Sequence, residues 1–263
     1  GGVFLGKKFE IPVIAVAHHT YAQQARVPGQ WWKRILSFPE RGTYRLADRV
    51  ICVSQDTRTM LETEYRIEPR KLTVIQPGFD VAPWIAADGD SSKRQNLRCV
   101  CVGRQAARKG WDILQAAWPM IRARHPAATL DVAGHAGPAM DGVRFLGRVD
   151  DATLRSAVGA ARLMLCHSRC EGFGLAAAEA IAAGTPVVAC DCDGLKRVVE
   201  HGVTGVLATA NAKSFAEAVS ALLGDSSLWE AMHAQCRKRR ERFGRKGMLD
   251  QFEPILTAVY SRS

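Results

Sequence analysis

The stretch Cys166-His-Ser-Arg-Cys-Glu-Gly-Phe-Gly-Leu-Ala-Ala-Ala-Glu-Ala-Ile-Ala-Ala-Gly-Thr-Pro-Val-Val-Ala189 predicts a strand, a tight turn, a helix and a second strand. An apolar run over 162–166 leads into this stretch and has the length of a buried strand. Gly172 and Gly174 allow the backbone to turn sharply and to approach a ligand closely. Good helix formers fill 175–183, and a glycine and a proline then end the helix. The stretch therefore predicts an α/β unit with a ligand-binding turn.

Two carboxylates lie beside this turn. Glu171 comes just before it, where a carboxylate accepts hydrogen bonds from a polyhydroxyl ligand, and Glu179 lies about one helical turn into an otherwise apolar helix. The start of that helix directs N–H groups and partial positive charge outward, which suits a phosphate. Burying an unpaired carboxylate is costly, so Glu179 needs a partner. From the spacing alone, a surface Glu171 and a core Glu179 paired with Lys or Arg remain the alternative.

Glu171-Gly-Phe-Gly followed by Glu179 resembles the E-x7-E signature of retaining GT-B glycosyltransferases, especially glycosyltransferase family 4. The similarity continues through 183–189 and 200–207. The resemblance implies that Glu171 lies at the donor sugar hydroxyls as a catalytic residue that positions the ring, and that Glu179 binds the nucleotide ribose. The turn then offsets charge on the departing diphosphate through its amides, which belong to Gly172, Phe173, Gly174 and Leu175.

The resemblance covers nearly the whole chain and implies an α/β, GT-B fold, in which two Rossmann-like domains face each other across a cleft. The N-terminal domain is expected to be truncated, because the chain does not start with Met and the family's first strand and Gly-rich loop are not in it. The expected division is 1–85 for the remaining half of that domain, 86–240 for the nucleotide-sugar-binding domain and 241–263 for a helix that crosses back. The polar segment 81–95 is predicted to be the linker.

The apolar segment 11–20 predicts a strand that ends in His18 and His19. Ligands of open α/β sheets bind at the carboxyl ends of strands, and a histidine there is both a donor and an acceptor. A histidine satisfied within a turn is the alternative. The segment resembles a strand of the family's N-terminal domain, and the resemblance makes His19, followed by Thr20, the catalytic residue that reaches the donor sugar.

Arg104 and Lys109 bracket a loop after the predicted strand 97–104. An arginine forks around phosphate oxygens and a lysine supplies a point charge, so the pair suits a diphosphate; a solvated basic turn is the alternative. The pair resembles the family's Gly-Arg…Lys-Gly motif, whose cations neutralise the leaving nucleotide diphosphate. By the same resemblance, Val149 contacts the nucleobase through its backbone.

The segments 143–151 and 193–199 look like those of bacterial phosphatidylinositol mannosyltransferases, with Arg197 where the wider family usually has a glutamate. The donor sugar is therefore not determined by this motif. Two elements, 212–224 and 227–242, are predicted to be helices, and a last helix covers 248–260.

The net charge of +10 is concentrated in the run 237–246. A solvated helix face, an anionic membrane surface and a nucleic acid all suit such a run. No aromatic-rich binding motif accompanies the charge, which argues against nucleic acid. Four aromatic residues, Tyr21, Trp31, Trp32 and Phe38, either pack in the interior or shape an acceptor pocket, since flat aromatic faces stack on sugars or lie at lipid head groups. No apolar run approaches the roughly 20 residues of a membrane span. We expect a cytoplasmic protein, with peripheral contact at the inner membrane face through 237–246 left open.

The eight cysteines predict neither a disulfide framework nor a metal site. Most lie in apolar, strand-like runs, where cysteine behaves as a small hydrophobic residue. The pairs at 99 and 101 and at 190 and 192 lack the spacing of zinc ligands. Reduced thiols and no bound metal are therefore expected.

The sequence is best interpreted as a metal-independent glycosyltransferase with no cofactor. It would move a sugar from a UDP- or GDP-sugar to a hydroxyl of a saccharide or lipid-linked acceptor, with retention of the anomeric configuration. A non-catalytic nucleotide-sugar-binding fragment is the alternative. A glycosidase fits poorly, because a loop Glu171 and a mid-helix Glu179 have no aromatic groove between them. A dinucleotide-binding protein would need a complete G-x-G-x-x-G, which is absent.

Overall fold

The computed structural model describes residues 2–89, 94 and 97–260. The chain forms two compact units. The first comprises Gly1–Gly78, Cys170–Phe173 and Arg245–Ser263, and the second comprises Phe79–Arg169 and Gly174–Gly244. The chain passes from one unit to the other at 78/79 and at 244/245. The domain boundaries expected from the sequence, 85/86 and 240/241, lie nearby and stay predictions.

The first unit contains a three-stranded parallel sheet in the order β1-β2-β3. Its elements are α1 (Gly2–Lys8), β1 (Ile14–Ala17), α2 (Tyr21–Ala25), α3 (Lys33–Leu46), β2 (Arg49–Cys52), α4 (Gln55–Thr63), β3 (Leu72–Val74) and, from the end of the chain, α12 (Arg245–Tyr260). Ile14 pairs with Arg49 in the register of β1 and β2, and Val50 pairs with Leu72 in that of β2 and β3. As predicted, the hydroxyl of Ser54 caps α4 by accepting a hydrogen bond from the Thr57 amide at 3.1 Å.

β1 is shorter than the strand predicted over 11–20. Pro12 has no N–H to donate to a ladder. At the other end, Thr20 begins α2 with a capping box: its hydroxyl accepts a hydrogen bond from the Gln23 amide at 3.1 Å, and the Gln23 side chain accepts one from the Thr20 amide at 2.8 Å. These local signals confine β1 to the middle of the predicted strand. The strand predicted over 71–80 is likewise wrong in length, since β3 ends at Val74.

The second unit is a doubly wound α/β domain. Its elements are α5 (Ala82–Ala86), β4 (Arg98–Val102), α6 (Trp111–Arg124), β5 (Thr129–Ala133), β6 (Val143–Gly147), α7 (Asp151–Ala160), β7 (Leu163–Cys166), α8 (Leu175–Ala182), β8 (Val187–Cys190), α9 (Asp193–Val198), β9 (Gly205–Ala208), α10 (Ala212–Gly224) and α11 (Ser226–Arg239). The strands are parallel and follow the order β6-β5-β4-β7-β8-β9. The order reverses at β4, so the sheet has its topological switch point between β4 and β7.

The predicted strand, turn, helix and strand of the opening stretch are confirmed as β7, α8 and β8. The helix residues that face the sheet are fully buried alanines and an isoleucine, which bring α8 close to its neighbours. One side of the sheet forms the main core with α6 and α10, where Trp118 and Phe215 are buried completely. These packing contacts hold the strands in place and so fix the position of the sheet edge where their carboxyl ends lie.

The prediction of a polar linker over 81–95 is wrong for its first part. Residues 82–86 form α5, because Pro83 stands at the start of the helix and Trp84 is buried. Asp88 is also buried, and its carboxylate pairs with Arg94 at 3.2 Å. Residues 90–93 and 95 of the predicted linker lie outside the described residues.

The basic run 237–246 is less available than its sequence suggests. Within the second unit, four of its arginines reach two carboxylates of the same unit. Arg237 and Arg240 contact Asp88 at 2.6 and 3.2 Å. Arg239 contacts Glu200 at 2.7 Å, and Arg242 pairs with the same carboxylate. Membrane contact through this run therefore stays a prediction that rests on fewer cations. Within the described parts of the chain, no helix combines the length and apolar character needed to span a bilayer.

Candidate functional site

The loop that joins β4 to α6 carries the two predicted phosphate-binding cations. Arg104 is exposed, and among the residues described no carboxylate lies within ion-pair distance of it. The end of the Lys109 side chain lies over Gly103: its Cε and Nζ would be 3.5 and 3.8 Å from a Cβ placed there. The loop thus holds two cations at the carboxyl end of β4.

The segment after β7 is bonded directly to this loop. The Arg169 amide donates to the carbonyl oxygen of Arg108 at 2.8 Å. The Nδ1 of His167 donates to the carbonyl oxygen of Lys109 at 2.5 Å. Burial lowers the pKa of His167 to about 4, so the ring is neutral at pH 7. The two loops therefore run side by side at the switch point, where sheets of this type bind ligands.

The helix α8 begins at the same edge of the sheet. Gly174 precedes it with φ +97°, a conformation that favours glycine, and its carbonyl oxygen accepts hydrogen bonds from the amides of Ala177 and Ala178 at 3.0 and 3.1 Å. In the described chain no group accepts a hydrogen bond from the amides of Leu175 or Ala176. The Leu175 side chain is 46% exposed. The first turn of α8 therefore offers N–H groups and the positive end of the helix dipole to an anion.

Glu179 is half-buried on α8. Burial, together with the negative charge of Asp151, raises its pKa to about 7. Among the described residues no Lys, Arg or His forms an ion pair with it. Within the described residues, the structure therefore does not contain the ion pair of the alternative in which Glu179 is a core carboxylate bonded to Lys or Arg. Val149 precedes Asp151 by two residues and lines an open depression formed by residues 148–152.

The other predicted residues lie in the first unit. A Cβ on Gly172 would lie 1.6 Å from the carbonyl oxygen of His18 and 3.5 Å from the Cβ of His19, so only a glycine fits against this backbone. Phe173 is buried. Glu171 precedes Gly172 in the chain, and His19 is the half-buried residue after the end of β1. The structure thus brings the predicted catalytic pair, Glu171 and His19, to one place in this unit.

Potential metal ligands are dispersed. In the parts of the chain that are described, no group of three or more His, Cys, Asp or Glu is arranged to hold a metal ion. The eight cysteines carry free thiols. Burial raises the pKa of the Cys52, Cys99 and Cys190 thiols to about 12, which makes them poor nucleophiles and poor metal ligands at pH 7.

Sequence reasoning missed two residues that position this site. His167 could have been found from its place directly after β7. Arg94 could not have been found in this way, because its segment of the sequence has neither a hydrophobic pattern nor a motif. It is 1% exposed and donates to the carbonyl oxygens of Ala183 and Gly184, at 2.8 and 3.2 Å, and to the hydroxyl of Thr185 at 3.0 Å. Arg94 therefore supports the C-terminal end of α8, where the helix dipole is negative.

A doubly wound parallel sheet with cations and a glycine turn at its switch point places the second unit among the Rossmann-like α/β domains. Comparison with known families narrows this class. Residues 96–225 match the family described as Glycosyl transferases group 1, and residues 2–83 match the one described as Glycosyltransferase Family 4. The chain belongs to the GT-B glycosyltransferases of the family 4 type, as the sequence predicted.

Two curated relatives show how far the similarity reaches. The D-inositol 3-phosphate glycosyltransferase of Jonesia denitrificans is 31% identical over 77% of this chain and 54% of the relative. The phosphatidyl-myo-inositol mannosyltransferase of Mycolicibacterium smegmatis is 35% identical over 64% of this chain and 47% of the relative. The chain thus spans about half the length of these relatives.

Solved structures confirm the predicted GT-B fold class. The sucrose-phosphate synthase of Thermosynechococcus elongatus superimposes with a TM-score of 0.84 over 99% of this chain and 72% of that one, at 22% identity. Anabaena HepE, solved with UDP and glucose, gives a TM-score of 0.81 over 97% of this chain and 74% of that one, at 21% identity. At these identities the likeness concerns the fold.

Proposed function

We propose that this chain takes part in a retaining transfer of a sugar from a UDP- or GDP-sugar to a hydroxyl of a saccharide or lipid-linked acceptor. The observation that carries the proposal is the junction of the Lys109 loop with the segment that leads from β7 to α8. Cations and helix amides meet at one switch point, where the amides have no acceptor among the described residues, and this combination suits a diphosphate. The names of the two relatives, a glycosyltransferase and a mannosyltransferase with inositol-containing acceptors, support it.

In the proposed reaction the bond between the anomeric carbon and the diphosphate oxygen breaks. The new bond to the acceptor oxygen forms on the same face of the sugar, and the departing phosphate takes the acceptor proton. Arg104, Lys109 and the first amides of α8 would offset the charge that grows on the diphosphate. These groups carry positive charge without a bound metal, so a divalent ion is not required for this role. Metal independence is part of the proposal.

The remaining residues have binding and positioning roles in this proposal. Glu179 would accept hydrogen bonds from the ribose hydroxyls, because it is half-buried and no cation among the described residues is paired with it. The Val149 backbone would contact the nucleobase. In the first unit, Glu171 and His19 would hold the sugar ring, so that Glu171 is a positioner rather than a nucleophile.

Calorimetric titration with UDP, GDP and ADP tests the binding step. Lys109→Gln and Arg104→Gln should each weaken diphosphate affinity by about 10- to 100-fold, the range of one lost charge-assisted hydrogen bond. Arg124→Gln, at an exposed arginine on the last turn of α6, is the matched control. Nucleotide affinity that is absent, or that both variants leave unchanged, would refute the proposed site.

Incubation with radiolabelled donors and candidate acceptors tests the reaction. Product formation in EDTA, with a retained anomeric configuration by NMR, is the expected result. Nucleotide affinity without transfer or donor hydrolysis would instead favour a non-catalytic nucleotide-sugar-binding fragment.

A further inference from the structure

α3 and the turn before it present an apolar face that the first unit does not cover. Trp31, Ile35 and Phe38 are 75%, 68% and 72% exposed. Their spacing of four and three residues places them along one side of the helix. Trp32 lies beside them at 45% exposure. We call these four residues the aromatic face.

Cations flank the aromatic face. Arg34, Arg41 and Arg45 follow one another at helical spacing along one edge, and the side chain of Arg34 is 70% exposed. Lys33 places its ammonium 5.8 Å from the centre of the Trp32 ring. The segment 20–47 contains five Lys and Arg residues and a single acidic residue, Glu40. Its charge is therefore strongly positive.

The one carboxylate of this segment points away from the aromatic face. Glu40 accepts a hydrogen bond from the Tyr21 amide at 2.9 Å and another from the hydroxyl of Tyr65. From a neighbouring element, Glu64 pairs with Arg26 at 2.7 Å and contacts Arg34 more distantly, at 3.7 Å. Among the described residues Arg45 forms no ion pair and Arg34 has only this distant one, so most of the cationic edge is left to an external anion.

We propose that the aromatic face docks on the surface of an anionic lipid bilayer, with Arg34 and Arg45 at the lipid phosphates. Tryptophan and phenylalanine next to exposed arginines are typical of a helix that lies in the plane of the interface. A convex apolar strip with a cationic edge matches the boundary between acyl chains and anionic head groups. This surface replaces 237–246 as the membrane contact, since four arginines of that run are paired within their own unit.

The face belongs to the pair of helices that follows the candidate catalytic histidine. Thr20, the residue after His19, caps α2, and Lys33 at the start of α3 donates to the Gln24 side chain of α2 at 2.6 Å. A bilayer bound at this face would therefore lie on the elements next to His19. The docking proposal does not depend on sugar transfer, because lipid binding is measured without a donor.

Tryptophan fluorescence gives a selective test. Trp31 and Trp32 are exposed, whereas the other four tryptophans, Trp84, Trp111, Trp118 and Trp229, are buried. Vesicles of phosphatidylcholine with phosphatidylglycerol, both carrying brominated acyl chains, should quench the emission of the full chain. The double variant Trp31→Phe and Trp32→Phe should lose this quenching while it still sediments with the vesicles.

Sedimentation with vesicles tests the two components of binding. Phe38→Ser should lower partitioning to phosphatidylglycerol vesicles by about 10-fold, as expected for one aromatic side chain left in water. Arg34→Gln with Arg45→Gln should lower it by roughly 10- to 30-fold and weaken its salt dependence. Phe9→Ser, at another exposed phenylalanine of the first unit, and Lys238→Gln with Lys246→Gln should change it little. Melting temperatures confirm that each variant is folded.

Several results would overturn the proposal. These are absence of vesicle binding, equal binding to phosphatidylcholine alone, or losses confined to the Lys238 and Lys246 variant. Self-association that Phe38→Ser abolishes, without any vesicle binding, would instead identify the aromatic face as a contact between copies of this chain.

Discussion

The Nδ1 of His167 donates a hydrogen bond to the carbonyl oxygen of Lys109 at 2.5 Å, across the gap between the ends of β7 and β4. The buried imidazole packs against Trp111 in an edge-to-face arrangement, with ring centres 5.9 Å apart. This contact makes the placement of Lys109 depend on a residue 58 positions further along the chain. His167 is therefore a positioning residue for the proposed diphosphate site.

Replacing His167 should loosen the Lys109 loop. We expect His167→Ala to weaken UDP or GDP affinity by about 5- to 30-fold, since a buried carbonyl loses its donor and the loop its support. His167→Asn keeps a donor and should restore part of the affinity. Calorimetry measures both. A melting temperature that falls while affinity stays that of the wild type would show a purely structural role.

Substitutions of the two glutamates should affect different steps, nucleotide binding for Glu179 and turnover for Glu171. Glu179→Ala removes the proposed ribose contact and should raise the nucleotide Kd by about 10- to 100-fold. Glu171→Ala should leave the Kd within about threefold but lower kcat strongly, because it removes a group that positions the sugar. Titration of the nucleotide and steady-state kinetics give the two values. Equal nucleotide affinity in the wild type and Glu179→Ala would contradict this division of roles.

Stability should depend on pH through Glu179. Its pKa rises from an ordinary value of 4.5 to about 7 in the fold, so the folded state binds more protons than the unfolded state between these values. The free energy of unfolding should therefore fall by about 1–3 kcal/mol as the pH rises from 4.5 to 7. Glu179→Gln should remove this component of the slope. Urea unfolding at several pH values measures it, and parallel slopes in both proteins would contradict the assignment.

Arg94 should be among the most important residues for stability outside the core. Arg94→Ala leaves the carboxylate of Asp88 without its buried partner and the end of α8 without its donors. We expect a loss of about 3–5 kcal/mol in the free energy of unfolding. Urea unfolding measures this loss. The exposed Arg124→Gln should shift it by less than about 0.5 kcal/mol, and a similarly small effect at Arg94 would show that the buried network is unimportant.

Gly172→Ala tests the backbone contact beside the candidate catalytic histidine. Its Cβ would overlap the carbonyl oxygen of His18 at 1.6 Å, so the backbone must move. We expect a loss of transfer activity of about 100-fold or more, as a small misplacement of reacting groups has large effects. Gly247→Ala on α12 is the control, because its Cβ meets nothing within 4 Å and should stabilise the helix slightly. Wild-type activity in Gly172→Ala would contradict the contact.

The pattern of the sequence was sufficient for the α/β elements around the candidate site. Hydrophobic runs, helix formers and glycines are local signals, and they gave β7, α8 and β8 nearly to the residue. The extent of β1 and β3 and the helix α5 were mistaken. In these places Pro12, the capping box at Thr20 and the burial of Trp84 outweighed the apolar and polar patterns.

The sequence by itself determined the fold class, the family and the identity of the cations and carboxylates at the ends of particular strands. Tertiary structure alone decided which of these groups meet. It placed four arginines of 237–246 in ion pairs within their own unit and joined Lys109 to His167. Among the described residues it also left Glu179 without a cation. Periodicity reports which side of an element is apolar. Pairing between groups far apart in the chain depends on strand order, which fixes whose loops become neighbours.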